Sequence, residues 1–245
     1  MRNLKFTMSY DGTDYHGFQI QKEEITIEKA IKDGVFLLTG ENVDIIGCGR
    51  TDAGVHAICY TFNFKTNSSI PCDKFPIALN TVTPEDISVL SCCEEKEDFH
   101  SRYSALKKTY KYIIYTNKIS NPFYKRYAYH YKIPLNTEKM IKASQYIKGT
   151  HDFKCFMAQG SPIKDTVRTI YDLDIIKKDN LIEIEICGNG FLYNMVRIIV
   201  GTLINVGNGK SEPEDVLKII ESKNREMAGM TVPPQGLYLK EVYYD

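Results

Sequence analysis

The chain has 245 residues, 43% hydrophobic and 25% charged, the profile of an ordinary globular protein long enough for one large domain or two small ones. Its 31 basic and 31 acidic residues cancel, so the total charge gives no hint of an anionic partner. Seven cysteines without a CxxC pair, Cys92 and Cys93 being adjacent, argue against a disulfide framework or zinc knuckle and for reduced thiols. The start "MRNLKFTMSY" lacks a signal-peptide core and no apolar run approaches the roughly 20 residues of a membrane helix, so a cytoplasmic, soluble protein is expected.

From Leu4 to Tyr10 apolar and polar residues alternate, as in a half-buried strand, and the turn-rich loop "DGTDYHGFQIQ" follows. Ile27, Ala30, Ile31, Val35 and Leu38 recur at helical spacing, with Thr26 a candidate N-cap and Gly40 a stop. Val43 to Cys48 reads as a short strand. The glycine-rich loop "GCGRTDAGVHA" comes next, and then a strand from His56 to Phe64 with Ile58, Tyr60, Phe62 and Phe64 on one face.

The second half repeats this order without clear sequence identity. Strands are predicted over Thr109–Thr116, Thr166–Lys177 and Leu181–Cys187. Helices are predicted over Asn136–Lys148, closed by Gly149, over the strongly apolar Phe191–Gly207, and over Pro213–Ser222. The pattern implies an α+β protein of two halves whose sheets face or adjoin each other around a cleft. Residues 1–100 form the half with the Asp52 loop and 101–245 the half with the apolar helix, the boundary falling near Glu95 to Arg102.

The neutral total conceals an asymmetry. Between Phe99 and Thr137 there is no acidic residue, yet eight Lys or Arg (Arg102, Lys107, Lys108, Lys111, Lys118, Lys125, Arg126, Lys132) and eight of the 17 tyrosines occur there. Such residues supply phosphate contacts and faces on which unpaired bases stack, which favours single-stranded or loop RNA over duplex DNA; a solvated strand face accounts for them equally well.

Asp52 stands between Arg50 and His56 in a loop with Gly47, Gly49 and Gly54, where the backbone turns sharply and can approach a ligand closely. On its own "TDAG" is ordinary turn chemistry. Asp52 and His56 could also ligate a metal, but His16, His100, His130 and His151 are isolated and no HExxH spacing occurs. There is no GxSxG, no P-loop, and only a lone GxG in "GNGFL", so nothing asks for a cofactor. Arg197 lies six residues into the apolar helix, where a cation needs a partner anion or a route to the surface. Tyr110 alternates with Tyr112 and Ile114, which taken alone favours a plain core strand residue.

The segments "SYDGTDYHGFQIQ", "GRTDAGVHA", "FHSRYSALKKTYKYIIY", "TVRTI", "GNGFLYNMVRIIVGTL" and "PPQGLYL" occur in the order found in the bacterial tRNA pseudouridine synthase A family, which the chain resembles from Ser9 to Leu239. The resemblance implies a pseudouridine synthase fold of two ferredoxin-like halves. It also implies a cofactor-free, metal-free isomerase that converts uridine to pseudouridine at nucleotides 38, 39 and 40 of the tRNA anticodon stem-loop. By position Asp52 is similar to the family's catalytic aspartate and Arg50 to the arginine that helps extrude the nucleotide. Tyr110 resembles the tyrosine that stacks on the flipped base, Arg197 the arginine that pairs with the carboxylate, and Leu237 a residue lining the pocket. A homodimer bridged by tRNA is implied as well.

Overall fold

The computed structural model describes all 245 residues. They form two units, Met1–Leu106 with Tyr238–Asp245, and Lys107–Leu237.

In the first unit the alternating residues form β1 (Arg2–Tyr10), with Leu4, Phe6 and Met8 fully buried. Helix α1 (Ile27–Thr39) begins where Thr26 Oγ1 accepts the Lys29 N–H at 3.4 Å and ends at Gly40, whose φ of 71° suits a residue without a Cβ. Its Ile27, Ile31 and Val35 lie one and two turns apart and are buried. The chain continues through β2 (Ile46–Gly47), β3 (His56–Thr66), α2 (Phe75–Asn80) and β4 (Ile87–Glu95). β1 pairs antiparallel with both β3 and β4, and β2 pairs antiparallel with β3. The order β4-β1-β3-β2 with two crossover helices is the ferredoxin-like βαββαβ arrangement. Phe6 stacks on Phe62 and Phe64, both at 5.0 Å, and Phe75 of α2 meets it edge-on at 5.2 Å. Burying each such ring contributes about 1.5–3 kcal/mol.

Ile58 does not share the face of Tyr60, Phe62 and Phe64 as the alternation predicts; it is 45% exposed. Met8 pairs with Tyr60 but Tyr10 with Ala57, so β3 carries one residue more than β1 over that step, and the extra residue reverses the faces. Only Ile46–Gly47 of the predicted Val43–Cys48 strand pairs. α2 and β4 carry no clear period and escape prediction.

The second unit runs β5 (Lys107–Tyr115), β6 (Tyr129–His130), α3 (Thr137–Gln145), β7 (Gly149–Asp152), β8 (Val167–Lys178), β9 (Leu181–Gly188), α4 (Met195–Gly207) and α5 (Asp215–Ser222). Its strands β5-β9-β8-β7 are antiparallel, and β6 runs parallel to β5. The succession β5-α3-β8-β9-α4 repeats the βαββα of the first unit, giving the α+β class that the periodicity implies. Ile182, Ile184 and Ile186 of β9 are fully buried, and α4 is buried almost all round. α3 stops at Gln145, short of Gly149, which at φ 104° opens β7. α4 starts at Met195, four residues later than predicted, because Asn194 takes a left-handed φ of 59° that no helix continues through. The last strand, β10 (Leu237–Tyr243), runs parallel to β3 through Tyr238 and Leu239.

Candidate active site

Asp52 begins a β-turn. The Val55 N–H donates to the Asp52 carbonyl at 3.2 Å, and Gly54 takes the positive φ of 74° at its third position. The turn is braced by the loop after β1. Phe18 N–H donates to Thr51 O and Gly54 N–H donates to Tyr15 O, both at 3.2 Å, so both sides of Asp52 are fixed through the main chain. Below it the Tyr10 hydroxyl meets Thr51 Oγ1 at 2.8 Å, both groups being buried.

Glycine is required for this approach. A Cβ on Gly17 would stand 2.4 Å from Thr51 O and 3.2 Å from the Asp52 carbonyl carbon, and one on Gly12 would stand 1.9 Å from Val55 O. A Cβ on Gly47 would meet the Tyr60 hydroxyl at 2.2 Å; that hydroxyl donates to Gly49 O, and its ring stacks on Phe18 at 4.4 Å. The side chain of Asp52 is half-buried and that of Arg50 exposed, the latter 3.5 Å from Gln19 Oε1. A carboxylate and a guanidinium two residues apart on a clamped loop suit a reaction at an anionic ligand.

His56 serves the brace. It is 2% exposed, its ring stacks on Tyr238 at 4.8 Å, and its Nδ1 lies 3.1 Å from both the Gly12 nitrogen and Asp11 Oδ1. Gly12 has a main-chain proton to place, and Asp11 also accepts from the Thr13 amide and hydroxyl, so the ring, the loop amide and the carboxylate brace one another. No three His, Cys, Asp or Glu side chains group as metal ligands.

In the second unit Tyr110 pairs with Ile186 across β5 and β9. It shares a face with Tyr112 and Ile114, which are fully buried, but Tyr110 is only half-buried, with its ring edge-on to Phe191 at 5.0 Å. The strand holds the ring without enclosing it. Tyr112 donates to Pro233 O at 2.7 Å; burial pushes its phenol far above the usual range, although the Arg197 cation pulls the other way.

Arg197 is the third residue of α4, half-buried between buried Val196 and Ile198. Its Nε donates to Val232 O and its Nη1 to Asn194 Oδ1, each at 2.7 Å. Asn194, although at the N-cap position, makes no capping bond; its oxygen serves the guanidinium instead. Leu237 is 5% exposed and follows a short turn of 3₁₀-helix, Pro234–Gly236. That turn passes so close to β5 that a Cβ on Gly236 would lie 2.8 Å from Ile113 O. Sequence reasoning missed the Asp11–Phe18 brace and the role of Asn194. The paired glycines of "DGTDYHG" were the available sign of the first; nothing marked the second.

A family model described as tRNA pseudouridine synthase matches residues 7–104 and 143–245. The chain is 51% identical over 244 residues to the tRNA pseudouridine synthase A of Thermoanaerobacter sp. (strain X514), with all of both chains covered. It is 48% identical to that of Acetivibrio thermocellus, again over all of both chains. A protein of Clostridium tetani called tRNA pseudouridine synthase A 2 is also 48% identical, over all of this chain and 99% of the other.

Proposed function

Because the chain belongs to the tRNA pseudouridine synthase family, we propose that Asp52 is the carboxylate with which it isomerises uridine to pseudouridine at nucleotides 38, 39 and 40 of the tRNA anticodon stem-loop. The observation that carries the assignment is the clamped turn, which fixes a half-buried carboxylate through main-chain bonds on both sides.

The reaction breaks the bond from uracil N1 to ribose C1′, turns the base and rejoins it through C5. Nothing is oxidised or reduced, and no group is gained from outside. Asp52 acts on the sugar, either as a nucleophile toward the nucleoside or as a base at C2′, and both roles need it ionised. An unperturbed aspartate, with a pKa of about 3.9, is ionised at neutral pH, but desolvation around a bound nucleoside opposes this. We assign Arg197 to hold that charge. Its guanidinium is aimed by Asn194 and Val232, and a charge-assisted bond of this kind contributes on the order of 1.5–3 kcal/mol.

Everting a nucleotide costs a few kcal/mol. Arg50, exposed at the mouth of the turn, assists extrusion through the phosphate, and a base stacked on Tyr110 recovers about 1–3 kcal/mol. Leu237 contributes an apolar wall. The protein works in the cytoplasm as a homodimer bridged by tRNA. The test is incubation of the purified protein with an anticodon stem-loop transcript and no added cofactor, with pseudouridine mapped by nucleotide. Product confined to the three positions supports the reading; none at any of them refutes it.

A further inference from the structure

The fold sorts the basic stretch Phe99–Thr137 into paired and unpaired charge. Lys111, on β5, is tied to Glu183 of β9 at 2.8 Å, with both side chains about one-fifth exposed. Arg102 lies 5.7 Å from the centre of the Tyr103 ring. Lys107, Lys108 and Arg126 have partners too. By contrast, Lys125 is exposed with no carboxylate within ion-pair distance, and so are Lys118 and Lys132.

Lys118 and Lys132 both line one cavity of about 350 Å³, with Lys177 joining them. Lys118 comes from the loop after β5, Lys132 from just after β6, and Lys177 from the end of β8. Short bonds hold these three segments together. Thr116 N–H donates to Asn180 O at 2.7 Å, Tyr131 N–H donates to Tyr115 O at 2.9 Å, and His130 Nε2 lies 2.7 Å from Asn117 O. Asp179, at φ 52° in the tight turn between β8 and β9, is the one acidic residue of the lining, and it forms no ion pair. Three lysines and one carboxylate line it together with Ile133, Pro134 and Leu135, of which only Leu135 is buried. A concave surface of one dominant sign over low-dielectric walls concentrates counter-ions. Its volume is at the small end of ligand sites.

We propose that this cavity is a subsite for a backbone phosphodiester of the bound tRNA, away from the base that reacts; the assignment rests on the tRNA-modifying function proposed above. Along the extended chain, the six residues from Tyr110 to Thr116 span about 20 Å. A phosphate seated in the cavity is therefore about 20 Å from a base stacked on Tyr110. It sets the register of the RNA and carries no base information.

The experiment changes Lys118, Lys132 and Lys177 together to Gln, and separately to Arg, in the full chain, with melting curves as the folding check. Binding of a full-length tRNA transcript is measured across a salt series, with steady-state kinetics alongside. The Gln variant is expected to flatten the slope of log Kd against log salt by about 0.9, the share of the one phosphate neutralised, and to weaken binding about tenfold, with the loss residing in KM. The Arg variant keeps the wild-type slope. A slope and KM unchanged in a folded Gln variant overturn the subsite. Stabilisation of the wild type by inorganic phosphate, lost in the Gln variant while the RNA slope is unchanged, also overturns it and assigns the cavity to a free anion. Pseudouridine formation by the wild type on the same transcript is scored separately, so failure of the function and failure of the subsite give different results.

Discussion

Asp52→Asn removes a charge and leaves nearly everything else. The turn is held by Phe18 N–H to Thr51 O, Gly54 N–H to Tyr15 O and Val55 N–H to Asp52 O, all main-chain bonds that an isosteric side chain leaves intact. The loss of stability should therefore stay within about 1 kcal/mol, the range of one exchanged side-chain hydrogen bond. The rate should respond differently. Positioned acid–base groups contribute about 10²–10⁴-fold, and each tenfold corresponds to about 1.4 kcal/mol of barrier. The variant is expected to turn over at least about 10³-fold more slowly, a loss of about 4 kcal/mol confined to the transition state. Single-turnover formation of pseudouridine, transcript binding and thermal melting separate these effects. Product formed within tenfold of the wild-type rate by a folded variant would refute the assignment; so would a slow variant that has also lost tRNA binding or its melting transition.

Gly17→Ala places a Cβ 2.4 Å from Thr51 O at a φ of +85°, so melting should show a loss of about 2 kcal/mol or more, and activity should fall further than stability because Asp52 moves with the loop. Asn194→Gly relieves a left-handed non-glycine residue, but the backbone gain of about 1 kcal/mol is outweighed by the lost bond to the Arg197 guanidinium, worth about 1.5–3 kcal/mol, so its melting temperature should fall slightly. The same variant loses the bond to Arg197 Nη1, and kcat should drop about tenfold; an unchanged kcat would remove Asn194 from the machinery. The Asp152 carboxyl is held below its usual range by the Thr166 hydroxyl first and Lys223 second. A depressed folded-state pKa means stability that is present above about pH 4 and lost as pH falls through the folded value. Asp152→Asn should therefore melt lower than the wild type at pH 7, by about 1 kcal/mol, and the two should converge below pH 4; a gap that persists in acid would show that the effect is not the carboxylate's ionisation.

Much of this was legible from local pattern. β1, α1 with its Thr26 cap and Gly40 stop, and β9 with its three isoleucines each follow from a period and a punctuating residue. The misses arise where a single residue overrides the period. The additional residue in β3 turns Ile58 outward, and a left-handed Asn194 delays α4 by a turn although Phe191 and Leu192 are as apolar as the helix itself. β10 pairs with a strand 182 residues earlier in sequence (Tyr238 with His56), a contact no local window can contain. At the candidate site, the glycine-rich loop around Arg50 and Asp52 was readable, while the roles proposed for the two residues come from the family resemblance. The reason the loop is rigid was not readable: it lies in main-chain bonds from Tyr15 and Phe18, which leave no mark on the side-chain pattern. The basic stretch was legible as composition only; the fold separates Lys111, neutralised by Glu183, from Lys118 and Lys132, which are not.

The most direct test is a crystal structure of the Asp52→Asn variant bound to an anticodon stem-loop transcript carrying a target uridine. The expected result is an everted uridine on the face of Tyr110, with its ribose C1′ or C2′ about 3–3.5 Å from the substituted side chain, the separation of a near-attack geometry. A target uridine still stacked in the stem, or everted with its ribose far from residue 52, would contradict the account.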